Sequence, residues 1–136
     1  MLPEIEMATR LVVAFILGAI VGYERETSDE SAGLRTHILV CVGATLFTII
    51  SLSMDSDPAR IAAGIVTGVG FLGAGTIFKA SDHVKGLTTA ASIWAVSAIG
   101  LAIGMAYYTA AAVTTIIVFI VLYLKRAKPM GPKKRF

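Results

Sequence analysis

Two stretches of the chain contain most of the side chains whose types and spacing suit chemistry. They are residues 24–37, ERETSDESAGLRTH, and residues 79–92, KASDHVKGLTTAAS. Both include Gly-Leu-x-Thr, once at 33–36 and once at 86–89, and both lead into an apolar segment. A helix that begins at such a point aims its free backbone N–H groups and the positive end of its dipole at the polar residues. The two stretches therefore favour an anion as their ligand.

The candidate anion-binding cluster combines cations and hydroxyls with one acid. Arg35 and Lys85 supply positive charge, and the threonine hydroxyls supply further donors. The anion is either a phosphate, from a lipid, a nucleotide or solution, or the chain's own Glu24, which then pairs with Arg35 while the threonines cap the helices. The sequence leaves both alternatives open. The cluster comprises Glu24, Arg25, Arg35, Thr36, His37, Lys85, Thr88 and Thr89.

Catalytic and metal chemistry have little support in the sequence. His37 and His83 are the only histidines, and the single Cys41 lies in an apolar segment, so no zinc-ligand spacing or nucleophile pair is present. The acidic residues between 24 and 30 attract Mg²⁺ only weakly, and a solvated charged loop is their ordinary role. We expect no catalytic residue, no enzyme activity and no cofactor, and we assign no metal ligand.

A second candidate motif is TGVGFLGAGTIF, residues 67–78, which contains a literal G-x-G-x-x-G. A dinucleotide-binding loop needs a strand before the glycines and an acid about 20 residues after them, and neither is present. The segment instead predicts a membrane helix with bare backbone on two faces, central in a helix bundle. The alternative is an unwound helix whose carbonyls line an ion path. The predicted packing glycines, with two from the first span, are Gly18, Gly22, Gly64, Gly68, Gly70, Gly73 and Gly75.

The elements that position these residues follow from the hydropathy. Of 136 residues, 56% are apolar and only 15% are charged, against roughly 25% in soluble domains. Since one span needs about 20 residues, the long uncharged stretch from 87 to 124 holds two spans with a reversal near 100–108. We predict an all-α, polytopic transmembrane bundle in residues 1–125. Its five spans lie at about 5–25, 35–54, 59–78, 86–103 and 107–125, and a basic tail follows at 126–136.

The basic residues predict how the bundle is oriented. With five spans, all of them except Arg10 and Arg60 lie on one side. The positive-inside rule makes that side cytoplasmic, so we expect the N-terminus outside and the C-terminus inside. The basic tail then faces anionic lipid rather than nucleic acid, for which the net charge of +3 offers no support.

Four motifs in series resemble one known family. They are Gly18-x-x-x-Gly22-x-Glu24-Arg25-Glu26, Gly33-Leu34-Arg35-Thr36-His37, Gly68-x-Gly70-Phe71-Leu72-Gly73-Ala74-Gly75 and Val84-x-Gly86-Leu87-Thr88-Thr89-Ala90-Ala91-Ser92-x-Trp94. In this order they resemble the membrane domain of the MgtC/SapB family of inner-membrane proteins, over about residues 5–125. Studied members continue into a soluble C-terminal domain, whereas this sequence stops after its basic tail, so only the membrane part carries over.

The resemblance implies a multi-pass inner-membrane protein linked to growth in low magnesium and to membrane energy. We therefore expect a non-enzymatic regulatory protein that acts by helix contacts with a membrane-protein partner or with itself, as a homo-oligomer and most simply a dimer. The alternative is a small oligomeric transporter or channel for an ion or small anion. The absence of a carboxylate at mid-span weakens that alternative.

Overall fold

The computed structural model describes residues 2–54, 57–80 and 83–126. In this part of the chain five α-helices and one two-stranded hairpin are present. The helices are α1 (Glu4–Thr27), α2 (Leu34–Leu52), α3 (Pro58–Ala74), α4 (Leu87–Gly104) and α5 (Tyr108–Arg126), and the strands are β1 (Phe78–Ala80) and β2 (His83–Lys85). Each predicted span thus contains one helix. Of the predicted basic tail at 126–136, residues 127–136 lie outside the described residues.

Three of the helices, α1, α2 and α4, are long and apolar enough to cross a membrane. The α3 helix and the apolar part of α5, Tyr108–Leu124, are shorter. The protein is therefore a helical membrane protein. Five spans and their orientation stay predictions, because length and composition settle only these three helices.

Local signals account for the ends of several helices. Asp57 precedes α3 and its Oδ1 accepts a hydrogen bond from the backbone N–H of Ala59 at 2.9 Å, with Pro58 in the first turn. Aspartate is a preferred N-cap residue and proline a preferred first helical residue, so the sequence accounts for the start of α3. The reversal between α4 and α5 is confirmed, and Ala106 adopts a positive φ of 61° there.

The core lies where α2 and α4 run parallel to each other at close range. The Thr45 hydroxyl donates to the carbonyl of Gly100 at 2.8 Å, and a Cβ atom on Gly100 would overlap the backbone of Cys41. The α1 helix runs antiparallel to α2, and a Cβ on Gly18 would lie 2.9 Å from the Cβ of Cys41. Bare glycine backbone thus sets these helix separations. The main cluster of buried apolar residues is Ala14, Val21, Cys41, Val96, Ile99, Ile103, Ala111 and Leu122.

At the end where α4 terminates, a buried arginine joins α1 to α4. Arg10 donates from Nη1 to the carbonyl oxygen of Gly104 and from Nη2 to Glu6. A cation at this position complements the negative end of the α4 dipole and satisfies one of its last carbonyls. The positive charge of Arg10, in the first predicted span, therefore lies inside the bundle.

The α3 helix is at the periphery of the bundle, which differs from the expectation that it is central. A Cβ atom on Gly64, Gly68 or Gly70 would meet nothing of the described chain within 4 Å, apart from the local backbone of α3. Only Gly73 faces a neighbouring helix, with Ala90 of α4 at 3.5 Å, and Gly75 lies beside the carbonyl of Leu72 in its own helix. The periodicity of the glycines shows which residues share a face, but it does not show what covers that face.

The hairpin is absent from the sequence prediction, which extends the third span to residue 78. The helix ends at Ala74, and Phe78–Ala80 instead pairs antiparallel with His83–Lys85, with Phe78 opposite Lys85. Gly86 closes this connection at a φ of 88°, and a Cβ there would overlap the carbonyl of Thr76. Only glycine accommodates both conditions, so the Gly-Leu-x-Thr at 86–89 begins with a required turn.

Candidate functional site

A buried polar network lies at the end of the bundle where α1 ends and α2 and α4 begin. We call this region the polar end. It consists of Glu24, Arg25, Ser28, Glu30, His37, Thr89 and Ser92, which come from α1, the α1–α2 loop, α2 and α4. Glu24, Arg25 and Ser28 meet locally, as do Thr89 and Ser92. Contacts of His37 and Glu30 with α4 join these local groups in the folded chain.

Glu24 and Arg25 form the centre of the network. The Arg25 Nε donates to Glu24 Oε2 at 2.7 Å, and the Ser28 hydroxyl donates to Glu24 Oε1 at 2.8 Å. The residues of this ion pair are only 2% and 1% exposed. A carboxylate and a guanidinium can be buried this deeply because each neutralises the other. The alternative pair of Glu24 with Arg35 is wrong, since Arg35 is exposed to the outside of the bundle.

The start of α2 is occupied by an acid of the chain itself. The Glu26 carboxylate accepts a hydrogen bond from the backbone N–H of Leu34 at 2.8 Å. It lies so close to Gly33 that a Cβ atom there would overlap it. An internal anion thus satisfies one free donor of the helix start, as one alternative predicted, but the acid is Glu26 rather than Glu24.

A second acid of the same loop reaches the start of α4. Glu30 Oε2 accepts from the hydroxyl of Thr89 at 3.0 Å, and Glu30 Oε1 lies 3.4 Å from Nη1 of Arg25. Thr89 is completely buried. Through Glu30 the loop therefore connects the ion pair of α1 to the first turn of α4.

His37 joins α2 to α4 and has a defined tautomer. Its Nδ1 lies 2.8 Å from the carbonyl oxygen of Gly33, which can only accept, so Nδ1 carries a proton. Its Nε2 lies 2.9 Å from the hydroxyl of Ser92, which is also 2.8 Å from the carbonyl of Thr89. Ser92 has one hydroxyl proton. When the imidazole is neutral, the Ser92 hydroxyl can donate its hydrogen bond to Nε2. When the imidazole is protonated, Nε2 donates to the Ser92 oxygen, and the Ser92 hydroxyl donates to the carbonyl of Thr89.

The remaining residues of the predicted cluster point away from the network. Arg35, Lys85 and Thr88 are exposed, and Thr36 is half-buried. The N-cap residues of α2 and α4 are Gly33 and Gly86, so the prediction that the threonines cap these helices is wrong. The structure thus brings together Glu24, Arg25, His37 and Thr89, and leaves Arg35, Lys85 and Thr88 exposed outside the network.

The carboxylates of the polar end bind a guanidinium and hydroxyls of the chain itself, and Glu26 beside it binds a backbone N–H. Within the described residues, the buried Nη1 of Arg25 accompanies them without a hydrogen bond, and its contact is the ion pair with Glu30 Oε1 at 3.4 Å. Across residues 2–54, 57–80 and 83–126, no three His, Cys, Asp or Glu side chains are grouped to hold a metal ion. The network is suited to fixing the loop between α1 and α2 against α4.

Sequence reasoning missed four of the residues that matter here, namely Glu26, Ser28, Glu30 and Ser92. Ser92 had a usable signal, because it lies three residues after Thr89 and four before Val96, on one face of a helix. Glu26 and Glu30 had no such signal in the sequence, because the conformation of the loop decides which helix start each carboxylate reaches.

Comparison with known proteins gives the family. The profile of the MgtC family matches residues 11–128. The chain is 46% identical over 126 residues to "Protein MgtC" of Brucella abortus (strain 2308), covering 91% of this chain and 53% of that protein. It is 43% identical over 127 residues to the "Putative magnesium transporter YhiD" of Escherichia coli (strain K12), covering 86% and 59%.

A third relative, "Protein MgtC" of Salmonella typhimurium (strain 14028s / SGSC 2262), is 44% identical over 117 residues, covering 85% of this chain and 51% of that protein. The chain spans about half the length of the curated relatives that it matches. No solved structure matches it. The residues that form the polar end lie inside the matched region, and the match extends over most of the chain. The chain therefore belongs to the MgtC family.

Proposed function

We propose that this chain is a non-enzymatic regulatory protein of magnesium, cation or membrane-energy homeostasis that acts through helix contacts in the inner membrane. Membership of the MgtC family and the magnesium-related name of the Escherichia coli relative support the cation-homeostasis part. The proposed topology has five spans, with the N-terminus outside and the polar end and basic tail at the cytoplasmic surface, where the tail faces anionic lipid.

The observation that carries the regulatory part is that acids at this end of the bundle bind donors of the chain itself. Glu26 occupies a donor at the start of α2, and Glu30 binds Thr89 at the start of α4. An ion path or anion site would need these groups to be available to a ligand. Because they bind each other instead, they support a structural role for the network.

The contact surface that we propose at this end is the exposed set of Arg35, Lys85 and Thr88. These side chains lie on α2, β2 and α4, and the buried network links α2 to α4. Two cations on a fixed surface favour an acidic face of a membrane-protein partner. In this proposal the buried network positions the surface and the surface makes the contact.

Ion flux through sealed vesicles tests the proposal against the transporter or channel alternative. Purified full chain in vesicles that contain a Mg²⁺-sensitive or pH-sensitive dye should give no more flux than protein-free vesicles. Flux that Arg35→Ala or Glu24→Ala abolishes would overturn the regulatory function. The matched cell experiment is growth in low magnesium, where wild-type chain and Arg35→Lys should support growth and Arg35→Glu should not. Equal growth with wild-type chain, Arg35→Lys and Arg35→Glu would contradict the proposal that Arg35 makes the contact.

A further inference from the structure

A groove between α2 and α3 has a floor of bare backbone. It has a volume of about 520 Å³ and apolar walls that include Leu39, Phe47 and Leu72. Gly43, Gly64 and Gly68 line it, and a Cβ atom on any of them would meet nothing of the described chain within 4 Å, apart from its own local helix backbone. The groove therefore exposes three glycines in helix interiors.

In α1, α2 and α4, the interior helix glycines outside the groove coincide with close helix approach, whereas Gly70 of α3 is open. A Cβ on Gly22 would lie 2.8 Å from the Cα of Leu34, and a Cβ on Gly100 would overlap the carbonyl oxygen of Cys41. Glycine destabilises a helix relative to alanine, and in these places close packing compensates for it. No such contact exists in the groove. A flexible acyl chain fills space beside alanine as well as beside glycine, so the glycines favour a helix as the occupant.

A second copy of this chain presents such a helix in the required orientation. All copies insert into the membrane in the same direction, so the α3 helices of two copies run parallel with Gly64 and Gly68 at the same depth. Their spacing of four residues is the one that lets parallel membrane helices cross at backbone contact. A two-fold axis along the membrane normal then makes the two contacts identical.

The charges at the start of α3 are complementary in this arrangement. Asp57 and Arg60 are both exposed and lie within one turn of each other, and Arg60 lines the groove. Parallel pairing places both residues at the same depth in both copies. Arg60 of one copy then faces the partner's Asp57. This pairing is attractive, whereas a shift of one α3 helix along the other would bring like charges together, so the charges fix the register of the two helices.

We propose that two copies of this chain associate through the groove, with α3 of each copy in the α2–α3 groove of the other. The inference rests on the proposed function, in that it names the surface through which helix contacts with a second copy occur. It also explains why the glycine-rich helix is peripheral in one chain.

Energy transfer between two labelled populations of the full chain in vesicles, at increasing lipid dilution, tests this surface. Wild-type chain should associate. Gly64→Leu and Gly68→Leu should each raise the dissociation constant by about tenfold or more, because a leucine overpacks a backbone contact. Gly70→Leu is the matched control. Gly70 is on the same helix and equally open, but it does not line the groove, so its dissociation constant should stay close to that of the wild type.

Circular dichroism reports whether each variant folds. If an α3 variant does not fold, Gly43→Leu still tests the surface, because it fills the groove with a side chain of α2. Unchanged association in Gly68→Leu and Gly43→Leu, or an equal loss in Gly70→Leu, overturns the proposal. A wild-type chain that is monomeric at every dilution also overturns it and leaves the groove to lipid or to a helix of another protein. Monomeric protein without ion flux contradicts only this surface, whereas ion flux contradicts only the proposed function.

Discussion

The guanidinium of Arg25 donates from Nε to the carboxylate of its sequence neighbour Glu24 at 2.7 Å, and both side chains are almost completely buried. Consecutive residues of a helix point in directions about 100° apart, so the two long side chains must bend toward each other to meet. Glu30, 3.4 Å from Nη1 of Arg25, adds a second carboxylate. One guanidinium therefore compensates two acids at the polar end.

Removal of this guanidinium should strongly destabilise the fold. Arg25→Met leaves a buried carboxylate on Glu24 without its cation, and we expect a loss of about 3–5 kcal/mol in the free energy of unfolding. The measurement is a denaturant titration of the protein in mixed micelles. Arg35→Met is the matched control, because Arg35 is exposed, and should change the free energy by no more than about 0.5 kcal/mol. Equal effects of the two variants would contradict the assignment of Arg25 to the network.

The contact between His37 and Ser92 should hold α2 against α4. Ser92→Ala leaves the buried Nε2 of His37 without its partner, so we expect a loss of about 1–3 kcal/mol in unfolding free energy. Ser97→Ala is the control, since the buried Ser97 hydroxyl binds only the carbonyl of Trp94 in its own helix, and it should cost less than about 1 kcal/mol.

A double-mutant cycle isolates the pair. In a His37→Leu background, Ser92→Ala should lose most of its effect, giving a coupling of at least about 0.5 kcal/mol. If Ser92→Ala has the same cost with and without His37, the hydrogen bond does not connect the two helices.

Replacement of glycine by alanine should lower the free energy of unfolding where the glycine contacts another helix, and raise it where the glycine has no neighbour. Gly100→Ala places a methyl group against the backbone of Cys41, and it should cost about 1–3 kcal/mol. Gly70→Ala meets no neighbour, and it should stabilise the folded chain by about 0.5–1 kcal/mol through helix propensity. The same unfolding titration measures both. A stabilising Gly100→Ala would show that α2 and α4 are not in backbone contact.

The acid at the start of α2 should act as a helix cap. Glu26→Ala removes the acceptor of the Leu34 N–H and should cost about 1 kcal/mol. Gly33→Ala should have a similar cost, because its methyl group displaces the same carboxylate. The double variant should cost no more than roughly either single change, since both remove one contact. Additive costs in the unfolding titration would mean that Gly33 and Glu26 act independently.

Several features of this protein follow from local signals in its sequence. The uncharged stretches define the helices, Asp57 and Pro58 define the start of α3, and the four motifs in series indicate the family. Each of these signals acts within a few residues or depends on composition alone. They are therefore readable without knowledge of how the helices pack.

Tertiary structure decided which groups meet. The α2 and α4 helices are apolar on nearly all sides, so their pattern does not select a packing face, and only the fold shows that α2 and α4 pack together while α3 stays outside. The loop after α1 likewise decides that Glu26 reaches α2 and Glu30 reaches α4. The sequence by itself determined that anions belong at these helix starts. Which acids supply them depends on distances between elements that are far apart in the chain, and those distances exist only once the helices are packed.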